Sequence, residues 1–146
     1  VLGDSGAVGE GFGDWFSMLM TGAGTTAEVY FGQGRTPSIT PTYCELMPIY
    51  NEAALPDFMP AGAKTPIHDA GPLFSGICTE LTAKLGKDGV AQIFEAMRIT
   101  YPTTFRNFGL SMLALQVRAE TPDKLAVVMD VLERAGVFDE CAAPTE

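Results

Sequence analysis

The stretch HDAGPLFSGICTELTAKLG, residues 68–86, decides the fold of this chain. Its large apolar residues recur at every fourth position, which is the spacing of one face of an α-helix. These residues are Leu73, Ile77, Leu81 and Leu85. Gly86 follows the last of them and stands where a glycine commonly ends a helix. The spacing therefore predicts a helix with one buried face.

Further helices are predicted on the C-terminal side of this stretch. Asp88 can cap one that ends before Pro102, and Thr103 or Thr104 can cap the next. The last helix has Thr121 as its N-cap, followed by a proline at the first helical position and a glycine as the stop. The residues predicted to face inward are Val90, Ile93, Phe94, Met97, Phe105, Phe108, Met112, Leu115, Leu125, Val128, Leu132 and Ala135.

A helix is also predicted near the N-terminus, from Ser5 to about Met20. Helical spacing puts several apolar residues on one face that we expect to be buried. They are Val8, Phe12, Trp15, Phe16 and Leu19. Glu10 and Asp14 lie four residues apart, so their carboxylates project from one side of this helix.

The residues between these helical regions are rich in proline and show no sustained period, which predicts a long irregular segment. The prolines are Pro37, Pro41, Pro48, Pro56, Pro60 and Pro66. The predicted architecture is mainly α, with residues 1–146 in a single domain. It has a helix at 5–20, an irregular loop at 21–67, a helical cluster at 68–137 and a loose tail at 138–146.

The composition disfavours two classes of partner. The 9 basic and 18 acidic residues give a net charge of −9, which repels nucleic acid and anionic membrane surfaces. No run approaches the roughly 18 apolar residues of a spanning helix, and the N-terminus lacks the order of a signal peptide. Cys44, Cys78 and Cys141 allow one disulfide and one free thiol, or no disulfide.

Few residues are suited to chemistry. A carboxylate such as that of Glu10 is an accepted zinc ligand, although Glu10 and Asp14 could equally form a solvated stripe. His68 is the only histidine. It could transfer a proton near neutral pH or be an ordinary packed residue. No arrangement of serine or cysteine with this histidine indicates nucleophilic catalysis.

Taken together, several segments resemble thermolysin-like and fungalysin-like zinc metallopeptidases. SGAVGEGFGDWFS (5–17) resembles the family helix with a zinc-binding glutamate and an aspartate four residues later, so Glu10 is the implied zinc ligand and Asp14 orients it. PIHDAGPLFSGI (66–77) is similar to the segment in which a histidine, here His68, stabilises the oxyanion. Later similar segments are GKDGVAQIFEAMRITYPTTFRNF (86–108) and DKLAVVMDVLERAGV (123–137).

The resemblance implies the five-helix C-terminal domain of these enzymes. Arg35 falls roughly where the family places an arginine that binds the substrate carbonyl. The family's H-E-x-x-H helix, which supplies two histidine ligands and the general base, is not in this sequence. This chain begins just after the position where that helix would end.

The implied function is therefore the C-terminal part of a secreted zinc endopeptidase, inactive alone and with an incomplete zinc site. Its implied partners are the N-terminal catalytic half and a peptide or protein substrate. The alternative is a noncatalytic helical domain that keeps the peptidase fold and binds a partner.

Overall fold

The structure is a computed structural model that describes residues 4–25, 35–46, 66–100 and 104–141, with the backbone path alone for 66–69. Its long helices are α1 (Asp4–Thr21), α2 (Pro66–Thr100), α3 (Phe105–Arg118) and α4 (Pro122–Arg134). A short helical turn covers residues 43–46. The described part of the chain contains no β-strand, so the prediction of a mainly α fold is confirmed.

The residues that end or cap the helices are mostly those that the sequence indicates. Gly86 has φ 62° and ψ −141°, so α2 is two helical segments joined at a kink. The hydroxyl of Thr104 accepts a hydrogen bond from the amide of Asn107 and caps α3. Thr121 lies at the N-cap position of α4, but its side chain makes no capping bond, because its hydroxyl donates to Gln116 instead.

A single apolar core is enclosed by the four helices. Trp15 of α1 is 2% exposed, and its indole N–H donates to the hydroxyl of Thr82 in α2 over 3.1 Å. The ring of Phe74 packs edge-on against Phe105 and Phe108 of α3. Aromatic contacts of this kind between helices stabilise the fold beyond the burial of their apolar area.

Three residues that we predicted to face inward are exposed. Phe16, Leu19 and Phe94 are 42%, 39% and 40% exposed. In α1 the buried stripe instead includes the carboxylate of Asp14, whose charge is paired there. Periodicity identifies apolar residues near a face but cannot tell which of them the neighbouring helix covers.

The helices α1 and α2 cross at two glycines. A Cβ added to Gly11 would lie 2.3 Å from the carbonyl oxygen of Gly71, and one added to Gly71 would lie 3.3 Å from the Cβ of Glu10. The two backbones therefore touch, which no larger residue at position 11 would allow. This contact explains at least one glycine in the unusually glycine-rich first helix.

Residues 35–46, which we call the strap, run across the helices. The strap is joined to the tail by a disulfide between Cys44 and Cys141, and the remaining Cys78 is a buried thiol. Cys141 lies in the segment predicted to be a loose tail, and the disulfide attaches that segment to the strap at this residue. The rest of the predicted irregular loop, at 26–34 and 47–65, and the tail beyond 141 lie outside the described residues.

Candidate functional site

The candidate site lies on α1, where the side chain of Arg35 from the strap contacts Glu10 and Asp14. Its Nε donates to Oδ2 of Asp14 over 2.7 Å, and its Nη2 donates to Oδ1 over 2.6 Å. The same Nη2 lies 3.9 Å from Oε2 of Glu10. One guanidinium thus holds one carboxylate through two hydrogen bonds and lies beside a second.

The geometry of this pair follows from its burial. Asp14 is only 6% exposed, and a buried carboxylate is costly unless it is paired and hydrogen-bonded. The planar guanidinium of Arg35 satisfies both oxygens at once, as lysine could not. The hydrogen bonds to Asp14 raise the pKa of Arg35, and the negative charge of Glu10 adds to this effect.

Glu10 differs from Asp14 in its access to solvent. Its side chain is 34% exposed, whereas that of Asp14 is 7% exposed. The two carboxylates lie on one side of α1, as their spacing predicts, but only the second is deeply packed. Glu10 is therefore the more exposed carboxylate of the pair.

The position of His68 is defined by the backbone of α2. His68 lies in the first turn of α2, three residues before Gly71, whose backbone contacts Glu10. The close crossing of the two helices therefore puts the backbone of the first turn of α2 near Glu10. The side chain of His68 lies outside what the structure describes.

Sequence reasoning missed the residues that hold Arg35 in place. The amide of Ser38 donates to the carbonyl of Pro72 over 3.0 Å, and the backbone of Ser38 lies directly against Gly76. Both α2 residues occur in the segment PIHDAGPLFSGI, which we singled out for its histidine alone. A glycine on the otherwise apolar face of a predicted helix is the signal that could have pointed to a close backbone contact.

The residues present fit part of a zinc site. Glu10 offers a partly exposed carboxylate of the kind that binds zinc, with a hydrogen-bonded acid one turn away. Zinc in catalytic sites normally has three protein ligands. Within the described residues, no group of three or more His, Cys, Asp or Glu side chains could hold a metal ion. Glu10 could therefore serve as one ligand among others supplied from elsewhere.

No protein-family model, curated protein or solved structure matches this chain. Within the described ranges, none of the helices is both long enough and apolar enough to cross a membrane.

Proposed function

We propose that this chain is the C-terminal part of a secreted zinc-dependent endopeptidase of the thermolysin-like kind, with the family's five-helix domain. In this proposal Glu10 is the zinc ligand, Asp14 orients the site, and His68 and Arg35 act on the substrate carbonyl. The H-E-x-x-H segment comes from an N-terminal catalytic half. The chain alone does not cleave peptides.

One observation carries the proposal: residues far apart in sequence converge on α1 around Glu10. Arg35 lies 21 residues from Asp14 and holds it through two hydrogen bonds. The first turn of α2, which contains His68, is brought near Glu10 by the Gly11 and Gly71 crossing. The side-chain contacts of Arg35 with both carboxylates, and the backbone path of the first turn of α2 near Glu10, support the proposal.

Each of the four residues has one task in this proposal. The partly exposed Glu10 carboxylate binds the metal. The ion pair of Asp14 with Arg35 holds a neutralised carboxylate one turn away on the same helix. When bound, zinc supplies Lewis-acid polarisation of the carbonyl and lowers the pKa of a bound water. Arg35 carries a permanent positive charge on the same side of α1 and can hydrogen-bond a substrate oxygen. The imidazole N–H of His68 donates a hydrogen bond to the developing oxyanion.

The disulfide supports the proposed secretion. Disulfides persist in oxidising compartments and are rare in the cytosol, so the Cys44 to Cys141 bond fits an extracellular or periplasmic protein. The net charge of −9 disfavours nucleic acid as a partner.

The first test is the coding sequence upstream of Val1. We expect it to encode H-E-x-x-H, and a reading frame without this motif would overturn the proposal. The longer protein is then expressed and assayed for zinc content and for hydrolysis of a casein substrate. Glu10→Gln should lose both zinc and hydrolysis, whereas His68→Ala should keep zinc and lose about 10²-fold or more in kcat.

A matched control separates these effects from a general loss of charge. Glu95 of α2 is an exposed glutamate paired with Arg98, and Glu95→Gln should leave zinc content and hydrolysis unchanged. For the isolated chain, calorimetry should show no tight zinc binding. Tight binding that Glu10→Ala abolishes would contradict the assignment of a partial site.

The second candidate is a noncatalytic helical domain that binds a protein partner. A specific observation favours it: Phe16, Met20 and Phe94 are large apolar side chains that remain exposed, with the rings of Phe16 and Phe94 5.8 Å apart. Exposed apolar side chains that lie together are common at protein contacts. In this case the ion pair of Arg35 with Asp14 has only a structural role. The longer protein should then bind no zinc, and its Glu10→Gln variant should keep the same fold.

A further inference from the structure

The residues that place Arg35 at the two carboxylates belong to the strap and to one turn of α2. Arg35 begins the strap, and Ser38 follows three residues later. The Ser38 amide donates to the carbonyl of Pro72, which anchors the backbone of the strap three residues after Arg35. An arginine side chain has many rotamers. Its two hydrogen bonds to Asp14 therefore depend on the position of the backbone at residue 35.

The anchor is possible only because position 76 is glycine. Pro72 and Gly76 lie one turn apart on the same side of α2, so any side chain at 76 would stand in front of the Pro72 carbonyl. A Cβ at position 76 would lie 2.4 Å from the carbonyl carbon of Ser38 and 2.6 Å from its nitrogen. Both neighbours are backbone atoms, which cannot rotate away as a flexible side chain can.

The far end of the strap is held independently. The amide of Tyr43 donates to the carbonyl of Ala135, and the ring of Tyr43 packs against Phe105. The next residue, Cys44, is joined to Cys141. A local change at the Ser38 anchor therefore leaves the strap attached, so its effect at Arg35 can be measured in a folded chain.

We propose that Gly76 and Ser38 are positioning residues that set the Arg35 guanidinium at Asp14 and Glu10 through the backbone of the strap. Their role in catalysis rests on the proposed function. The positioning itself is a property of this chain, so an experiment without substrate or zinc tests it. Failure of this inference is then distinct from failure of the peptidase assignment.

The test is the spectroscopic signature of Arg35 in the isolated chain. In ¹⁵N-edited NMR spectra, the Nε–H of Arg35 should exchange slowly with solvent because it donates to Asp14. In Gly76→Ala this exchange should become faster by about tenfold or more, while backbone amides of α4 keep their protection. Gly9→Ala is the matched control, since a Cβ at that helical glycine meets nothing within 4 Å.

The wild-type chain provides a second measurement that does not depend on a variant that folds. At low urea concentrations, the Nε–H of Arg35 and the amide of Ser38 should exchange through one shared opening, with the same dependence on urea. Independent openings would overturn the inference. A folded Gly76→Ala variant with unchanged exchange at Arg35 would overturn it as well.

Discussion

Replacement of Arg35 by methionine should destabilise the chain because it leaves the Asp14 carboxylate buried without its partner. Removal of one member of a buried ion pair costs about 3–5 kcal/mol. Here the side chains of Arg35 and Asp14 are 20% and 7% exposed, so water can reach the vacated side. We therefore expect a loss near the lower limit, about 3 kcal/mol in the free energy of unfolding. With a urea m-value of about 2 kcal/mol/M, the midpoint should fall by about 1.5 M.

The assay is urea unfolding followed by the fluorescence of Trp15, the single tryptophan, which is buried beside Asp14. A double-mutant cycle with Asp14→Asn should give a coupling energy of about 1.5 kcal/mol or more. Arg98→Met is the control, because Arg98 and Glu95 form an exposed pair within α2 and its loss should change nothing measurable. A cost for Arg35→Met below about 1 kcal/mol, with no coupling, would refute the reasoning.

Three further predictions concern the fold around the site. Replacement of Cys44 and Cys141 by serine opens a link between residues 97 apart in sequence, and loop entropy predicts a loss of about 4.7 kcal/mol in urea unfolding. Gly11→Ala puts a methyl group 2.3 Å from a backbone oxygen of α2 and should lower the thermal midpoint by several degrees, whereas Gly13→Ala, which meets nothing within 4 Å, should not. Burial raises the pKa of Asp4 to about 6 from an ordinary 3.8, so the folded chain holds this proton longer than the unfolded chain. The stability that Asp4 contributes, measured as the difference between the wild-type chain and Asp4→Asn, should fall as pH rises from about 4 to about 6.

The expected fall with pH has a structural cause. One oxygen of Asp4 is buried and accepts no hydrogen bond within the described residues. The hydrogen bonds that the carboxyl receives from the amide of Phe105 and the hydroxyl of Tyr43 favour its charged form, but desolvation outweighs them. Stabilities of the wild-type chain and of Asp4→Asn that change in parallel over this range would contradict the assignment.

The sequence was a sufficient guide to the helices because their signals are local. Gly86 and Gly136 have positive φ, as a glycine at a helix end often does, and Thr104 caps α3 through its own side chain. Such features depend on residues within one or two turns, so periodicity and capping rules predict them. The same rules predicted that Phe16 is buried, but it is exposed. Exposure depends on which side chains another part of the chain covers.

The candidate site was only partly predictable for the same reason. The spacing of Glu10 and Asp14 puts them on one side of a helix, whatever else the chain does. The contact of Arg35 with them depends on the path of an irregular segment, and no period in the sequence describes that path. The pairing of Cys44 with Cys141 was likewise open, because three cysteines allow several outcomes and only the fold selects one.

The disulfide divides the chain into a covalent ring and an arm. Residues 44–141 form a closed loop that contains α2, α3 and α4, while α1 is connected to that loop only through its own C-terminal end. In a polypeptide that starts at Val1, a protease cut between α1 and Arg35 would leave α1, with Glu10 and Asp14, held to the ring by noncovalent contacts alone. The site could therefore be reconstituted by adding a synthetic α1 peptide to the intact ring.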